Sequence, residues 1–170
     1  MKPFFVILLF SFLILIGCKG EEPLNDSIII EVKTAGEKEL SDLINNRNGK
    51  YLFLNIWATW CLPCVEEFPD IVKLSVNYKS DKIDFASLSI DYIEDKENKV
   101  IPFLTKMNTT FSHFINGFKK DEALINFINK EWSGAVPLTV IYDSSGKQVA
   151  MLEGAHTYDE FADKLNTLIK

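Results

Sequence analysis

The sequence is poor in cysteine, in histidine and in clustered basic residues, and each shortage excludes a class of protein. Three cysteines among 170 residues are too few for a small fold held together by disulfides. Two histidines leave few nitrogen ligands for a zinc site. Lysine and arginine number 18 against 24 acidic residues, for a net charge of −6 without a basic block, so nucleic acid is not an expected partner.

Long apolar segments are also scarce. The hydrophobic run from Phe4 to Ile16 is 13 residues long and contains Ser11, so it falls short of the ~20 residues that a membrane-spanning helix needs. Hydrophobic residues make up 47% and charged residues 25% of the chain, as is usual for globular domains. A length of 170 residues suits one domain, and we expect a monomer.

The N-terminal run is typical of a signal peptide, because Lys2 precedes it and its length lies within the ~7–15 residues of a signal-peptide core. It ends in residues 15–18, Leu-Ile-Gly-Cys, which resemble the lipobox of bacterial lipoproteins. The resemblance implies cleavage before Cys18, which becomes the lipidated terminus of a mature chain of charge 17 − 24 = −7. The alternatives are an ordinary signal peptide or an uncleaved anchor with an incidental cysteine.

This interpretation predicts three segments: a lipoprotein signal peptide at 1–17, a lipidated cysteine and polar tether at 18–26, and a folded domain at 27–170. It places the protein in a bacterial cell envelope, as a periplasm-facing lipoprotein on the inner or outer membrane, where disulfides persist. Lys19 rather than an acidic residue follows Cys18, which favours the outer membrane.

Strand and helix patterns alternate along the rest of the chain. Short apolar runs predict strands at 27–32, 51–57, 83–90, 138–142 and 147–152. Helical spacing of apolar residues predicts helices at 37–46, 63–78, 94–107 (interrupted near Pro102), 121–132 and 158–169. Residues 111–118 fit either a helix or a strand. This order predicts an α/β sandwich around one mixed sheet.

The segment Cys61-Leu62-Pro63-Cys64 lies where the apolar strand 51–57 gives way to a helix. Unpaired N–H groups and the positive end of the dipole stabilise a thiolate at a helix N-terminus. We expect Cys61 to attack a partner disulfide and Cys64 to resolve the mixed disulfide. Pro63 suits the first turn of a helix.

The spacing of Cys61 and Cys64 is compatible with two other kinds of site. A zinc site would need two further ligands, and besides carboxylates the mature chain offers only Cys18, His113 and His156. We therefore predict no metal, and expect both histidines to be structural or on the surface. An inert structural disulfide is the other possibility, although so small a loop stabilises little.

The sequence also resembles a known family. Residues 53–64 are similar to the active-site segment of thioredoxin-fold proteins, and residues 65–69 resemble the TlpA/ResA-like branch of membrane-tethered, extracytoplasmic thiol–disulfide oxidoreductases. Residues 134–143 are similar to the second family signature, whereas the resemblance is thin over 94–131. It implies a thioredoxin-like fold, with a mixed central β-sheet flanked by helices on both faces.

The resemblance also implies roles for single residues. Pro137 matches the cis-proline that packs beside the cysteine pair, where the backbone of Val136 pairs with an extended substrate segment. Glu67 matches an acidic residue of this branch and is a candidate active-site group, the alternative being a solvated carboxylate near the helix start. Trp60, with Leu62 and Pro63 of the motif, is expected to shape the substrate-binding surface. Trp132 is expected in the core, or else in the same groove.

One position departs from cytoplasmic thioredoxins. They carry a buried aspartate six residues before the first cysteine, as the proton acceptor for the second, and this chain has Asn55 there. An amide cannot accept that proton, so Glu67 or a water must accept it from Cys64.

The expected function is therefore reduction of disulfides in partner proteins, apocytochrome c for instance, supplied with electrons by a membrane thiol donor. No flavin, nicotinamide or metal is implied, because the cysteine pair itself carries two electrons. The intervening Leu62-Pro63 contains no histidine, so we expect a potential nearer ~−270 mV than ~−120 mV.

Three alternatives remain. One is a disulfide-forming or isomerising protein. Another is a copper-binding lipoprotein of the same fold, although those proteins space their cysteines by three residues rather than two. The last is a binding lipoprotein with vestigial thiols.

Overall fold

The computed structural model describes residues 29–78 and 82–169. The predicted signal peptide at 1–17 and the tether at 18–26, with Cys18, lie outside these residues, so both stay predictions. Within the described ranges, no helix combines the length and the apolar character needed to cross a membrane.

Six strands form one mixed sheet in the order β1-β4-β3-β2-β5-β6. Neighbours are parallel from β1 through β4 and β3 to β2, whereas β5 is antiparallel to both β2 and β6. The strands are β1 (Val32–Ala35), β2 (Tyr51–Trp57), β3 (Ile83–Ser89), β4 (Ser112–Asn116), β5 (Leu138–Tyr142) and β6 (Gln148–Glu153).

Helices cover both faces of this sheet. They are α1 (Glu37–Asn45), α2 (Leu62–Asn77), α3 (Ile101–Lys106), α4 (Asp121–Ile128) and α5 (Tyr158–Leu168). Buried side chains of α1 and α4 form one cluster with one face of β2. Side chains of α2, α3 and α5 pack over the opposite face. The predicted thioredoxin-like architecture, with helices on both faces, is confirmed.

Strand β2 positions the active-site segment at the centre of the sheet. It lies between β3 and β5, and helices cover both of its faces, which explains its nearly continuous apolar sequence. Its alternating side chains divide between the layers. Leu54 and Ile56 join the cluster under α1 and α4, while Phe53 packs on the α2 and α5 side.

The edge strand was predicted at the wrong position. Strand β1 occupies Val32–Ala35 rather than 27–32. Val32 and Ala35 are buried, whereas Ile29 is almost fully exposed. Burial and pairing with β4 therefore select the later residues, although the isoleucine run has the stronger strand propensity.

The segment 94–132 differs most from the prediction. A 3₁₀ turn at Ile93–Asp95 and a π-helical turn at Lys96–Val100 precede a short α3, in place of one helix over 94–107. The ambiguous residues 111–118 contain strand β4. Helix α4 ends at Ile128 instead of 132, and Trp132 is buried in the following turn. The Trp132 indole N–H donates to the Ala135 carbonyl oxygen at 2.8 Å. Its ring joins the core cluster of β2 and α4, so tertiary packing rather than helical spacing places this tryptophan.

Candidate active site

The cysteine pair lies at the carboxyl end of β2, where α2 begins. Cys61 is the N-cap residue of α2, and Pro63 occupies the first turn. The Cys64 N–H donates to Cys61 Sγ at 3.2 Å. A sulfur that caps a helix receives both a hydrogen bond and the positive end of the dipole, which favours the thiolate of Cys61 in the reduced protein.

Cys61 and Cys64 form a disulfide, with their Cα atoms 5.2 Å apart. Cys64 is fully buried, while Cys61 retains slight exposure. This difference agrees with the predicted division of labour, because an incoming substrate sulfur reaches the more accessible cysteine first. The roles of the two cysteines remain predictions.

The loop before the motif is tied to the neighbouring strand by Asp91. The Asp91 carboxylate accepts hydrogen bonds from the Thr59 backbone N–H at 2.9 Å and from the Thr59 hydroxyl. It also accepts from the Ser89 hydroxyl at 2.7 Å. These bonds fix the backbone two residues before Cys61. Asp91 follows β3 directly, and parallel strands end at the same edge of a sheet, so this sequence signal could have identified it.

Val136 and Pro137 lie against the disulfide, as the family resemblance implies. The peptide bond between them is cis, and the Val136 carbonyl oxygen is 3.5 Å from Cys61 Sγ. Pro137 is buried and its carbonyl oxygen accepts from the Gly154 N–H at 2.9 Å. The structure therefore brings this loop to the cysteine pair.

The other predicted substrate-binding residues surround Cys61 on the surface. Trp60 is 64% exposed, and Leu62 and Pro63 are also exposed. Large exposed apolar side chains beside a reactive group are typical of an interaction surface. Their contact with substrate stays a prediction.

Glu67 is buried beneath the motif, so its interpretation as a solvated carboxylate is wrong. Its side chain is only 4% exposed. It accepts hydrogen bonds from the Asn55 amide at 3.0 Å and from the His156 backbone N–H at 3.0 Å. Burial raises the pKa of Glu67 from 4.5 to about 7, although both hydrogen bonds oppose that shift. A carboxyl group with this pKa can exchange protons near neutral pH.

Asn55, on strand β2, orients the Glu67 side chain of α2 by a hydrogen bond. Its amide NH₂ donates to Glu67 Oε1 and, at 3.2 Å, to the Thr139 hydroxyl, while Asn55 Oδ1 is buried without a hydrogen-bond partner. An aspartate here would place a second carboxylate beside Glu67, and like charges at this distance raise a pKa strongly. The amide therefore leaves Glu67 as the buried acidic group at this end of α2.

The two histidines have different surroundings. His113 is buried on β4 between the hydroxyl groups of Ser87 and Thr109, at 2.7 and 2.6 Å from its two ring nitrogens. Burial lowers its pKa to about 4, so the ring is neutral near pH 7, in agreement with the predicted structural role. His156 contributes its backbone N–H to Glu67, which its sequence context did not indicate. Across 29–78 and 82–169, no three His, Cys, Asp or Glu side chains converge as a metal site requires.

Comparison with known proteins agrees with this geometry. The AhpC/TSA family model matches residues 27–151. The thiol-disulfide oxidoreductase ResA of Oceanobacillus iheyensis is 33% identical over 132 residues, which are 76% of this chain and 61% of that protein. The thioredoxin-like protein YneN of Bacillus subtilis is 30% identical over 134 residues, which are 78% of this chain and 71% of that protein.

A solved structure supports the fold. The thiol:disulfide interchange protein of the thioredoxin family from Chlorobium tepidum TLS superposes with a TM-score of 0.60 at 21% identity, covering 72% of this chain and 81% of that one. Sequence relatives, fold and the Cys61–Cys64 disulfide agree with one another. The chain belongs to the AhpC/TSA family, and it is a ResA/TlpA-like thiol–disulfide oxidoreductase of the thioredoxin superfamily.

Proposed function

We propose that this protein is a lipid-anchored, extracytoplasmic reductase of protein disulfides. The observation that carries the proposal is the position of Cys61, which caps α2 with its sulfur and lies above a fully buried Cys64. Residues 15–18 support the anchor, and the absence of histidine between the cysteines supports a reducing potential. Apocytochrome c is one candidate substrate.

Reduction proceeds by two exchanges. The Cys61 thiolate attacks one sulfur of the partner disulfide, which forms a mixed disulfide and releases the partner's first thiolate. Cys64 then loses its proton and attacks Cys61 Sγ, which releases the second partner thiolate and forms the Cys61–Cys64 disulfide. The partner gains two electrons and, from Cys64 and the medium, two protons. A membrane thiol donor reduces the enzyme again.

Glu67 assists the second exchange. Its carboxylate, with a pKa of about 7, accepts the Cys64 proton directly or through a water near neutral pH. A negative charge close to Cys64 also raises the pKa of that thiol, which keeps Cys61 as the nucleophile. Asn55 and the backbone of His156 hold the carboxylate in place.

Cysteine variants and a redox titration test this function. Cys64→Ser should accumulate mixed disulfides with protein substrates, whereas Cys61→Ser should form none. Equilibration with thiol buffers should give a potential near ~−270 mV, and a value near ~−120 mV would instead support the disulfide-forming alternative. An enzyme whose thiols reduce no protein disulfide would support the vestigial alternative.

The anchor has its own test. Cys18→Ala should abolish incorporation of labelled fatty acid in cells, while Cys61→Ser should leave it unchanged. Equal labelling of wild type and Cys18→Ala would contradict the lipoprotein assignment.

A further inference from the structure

A cavity of about 430 Å³ lies beside the disulfide, and the two thiol exchanges do not require it. Four parts of the chain line it: the loop before Cys61, the segment after β3, the end of β4, and α4 with the turn that follows. Its principal apolar lining residues are Trp60, Tyr92, Leu124, Ile125 and Trp132. The volume falls within the ~300–1,000 Å³ typical of ligand pockets.

One wall of the cavity is fixed by packing. Trp132 is buried, with its indole N–H bonded to the Ala135 carbonyl oxygen. Gly134 adopts a φ of +85°, and a Cβ atom there would lie 2.9 Å from Ile125 Cδ1. The positive φ therefore favours glycine at this position, and the Ile125 side chain would have to shift to admit a Cβ atom. This wall of the cavity is therefore held by packing and by a hydrogen bond.

The opposite rim is aromatic and exposed. Tyr92 is 79% exposed and Trp60 is 64% exposed. Exposed rings are costly to leave in water, and they gain interaction energy beyond area burial when another ring packs against them. The rim is therefore suited to an aromatic ligand group.

The cavity carries one charge. Asp121 is the single Asp, Glu, Lys, Arg or His among the lining residues, and it lies in the first turn of α4. Two other polar lining groups are engaged: Asn116 Oδ1 accepts from the Phe118 N–H, and the Ser133 hydroxyl donates to Glu153. A carboxylate at the edge of an apolar cavity favours a cationic neighbour in the bound segment.

Two lining residues are chain neighbours of the reactive site. Trp60 immediately precedes Cys61, and Gly134 lies two residues before Val136, whose carbonyl oxygen contacts Cys61 Sγ. A polypeptide whose disulfide reaches Cys61 therefore passes across the mouth of the cavity. Part of the lining, 116–125, belongs to the segment where the family resemblance is thin, so this cavity is suited to selecting substrates particular to this chain.

We propose that the cavity binds an aromatic side chain of the substrate protein, within a few residues of the cysteine that Cys61 attacks, and that Asp121 favours a lysine or arginine beside it. The proposal rests on the disulfide reductase function above. It names the substrate class as disulfides flanked by an aromatic and a basic residue.

Peptide disulfides test the proposal directly. Reduced enzyme is assayed against disulfide-linked peptides that carry either Phe or Ala at each position within three residues of the cysteine. At the best position, Phe should raise kcat/KM about tenfold, the size of one well-packed aromatic contact. A neighbouring lysine should add about threefold, and Asp121→Asn should remove that second gain.

Two matched variants locate the effect. Tyr92→Ala should reduce the Phe-to-Ala ratio of kcat/KM to near one. Ile93→Ala removes the adjacent apolar side chain, which is 50% exposed and lies outside the lining, and should keep the wild-type ratio. Equal rates for Phe and Ala peptides, or equal ratios in both variants, would overturn the cavity proposal alone. A wild type that reduces neither peptide would overturn the reductase function and the cavity proposal with it.

Discussion

Glu67 and His113 are both buried titratable side chains, one beneath the disulfide and one in strand β4. Hydroxyl groups flank both ring nitrogens of His113, and a hydroxyl can donate or accept as the neutral ring requires. Two N–H donors approach Glu67, and these favour the ionised carboxylate against the effect of burial. The pKa values are about 4 for His113 and about 7 for Glu67.

The contrast shows that burial alone does not identify a functional acid or base. His113 is neutral throughout the neutral pH range and acts as a packing residue. Glu67 changes its charge within that range, and it follows Cys64, whose thiol must lose a proton, by three residues on α2. Burial raises the pKa of a carboxyl group towards neutral pH and lowers the pKa of an imidazole away from it, so the type of buried group decides which one can take part in proton transfer.

The largest effect should come from removing His113. His113→Ala leaves the hydroxyl groups of Ser87 and Thr109 without their buried partner and opens a cavity beside Phe111, whose ring lies 4.7 Å from the imidazole. We expect a loss of roughly 3–5 kcal/mol in the free energy of unfolding. Chemical denaturation measures it. Turnover of the folded fraction should be unchanged. A loss of turnover in the folded protein would contradict the purely structural role of His113 that distinguishes it from Glu67.

Glu67→Gln should have the opposite signature. The variant keeps the side-chain shape but removes the proton acceptor, so turnover near pH 7 should fall by about 10²-fold, the low end for general acid–base groups. The pKa of the Cys64 thiol should fall as well, because the nearby negative charge is gone.

Stability should change less than turnover in this variant. A rotation of the Asn55 amide can present its unpartnered oxygen to the new NH₂ group. Stopped-flow reduction of a model disulfide and pH-dependent alkylation measure turnover and the thiol pKa. Wild-type values for both would return Glu67 to a purely structural role.

The pH dependence of stability should separate the two groups in the oxidised protein. Folding raises the pKa of Glu67 from 4.5 to about 7, so its contribution to stability is full below pH 4.5 and is lost as pH rises to about 7. Folding lowers the pKa of His113 from 6.5 to about 4, so its contribution is full above pH 6.5 and is lost as pH falls to about 4. The two slopes, each about 1.4 kcal/mol per pH unit, cancel between pH 4.5 and 6.5.

Single variants should make each slope of stability against pH measurable, because the two no longer cancel. Glu67→Gln should become less stable towards acid across pH 6.5–4.5, because the His113 contribution then acts alone. His113→Asn should become more stable towards acid in the same window. Urea denaturation at half-unit pH steps gives both curves. Parallel curves for wild type and both variants would contradict the opposed titrations.

The smallest effects should come from the paired hydroxyls. Thr139→Val removes the second acceptor of the Asn55 amide, and Thr109→Val removes one partner of His113. Each should cost about 1–2 kcal/mol of stability. Only Thr139→Val should also move the pH at which turnover is half-maximal, because Asn55 orients Glu67. If Thr109→Val shifted the pH of half-maximal turnover by a similar amount, the shift would not depend on the hydrogen bond between Asn55 and Thr139.

The sequence by itself determined the fold class and the position of the cysteine pair. A nearly continuous apolar strand followed by Cys61-Leu62-Pro63-Cys64 indicates a buried parallel strand running into a helix N-terminus, and the structure has both. These features are local, since strand burial and helix capping each leave a pattern within a few residues.

Only the tertiary structure decided the environment of Glu67 and the extent of the edge elements. Spacing placed Glu67 on the same helix as Cys64, but the backbone N–H that closes over it belongs to His156, 89 residues away. Pairing with β4 placed the edge strand at Val32–Ala35, and Trp132, beyond the end of α4 at Ile128, packs in the core against residues of β2 and β5. Contacts between distant segments leave no periodic signal in the chain, and burial, pKa and cavity shape depend on those contacts.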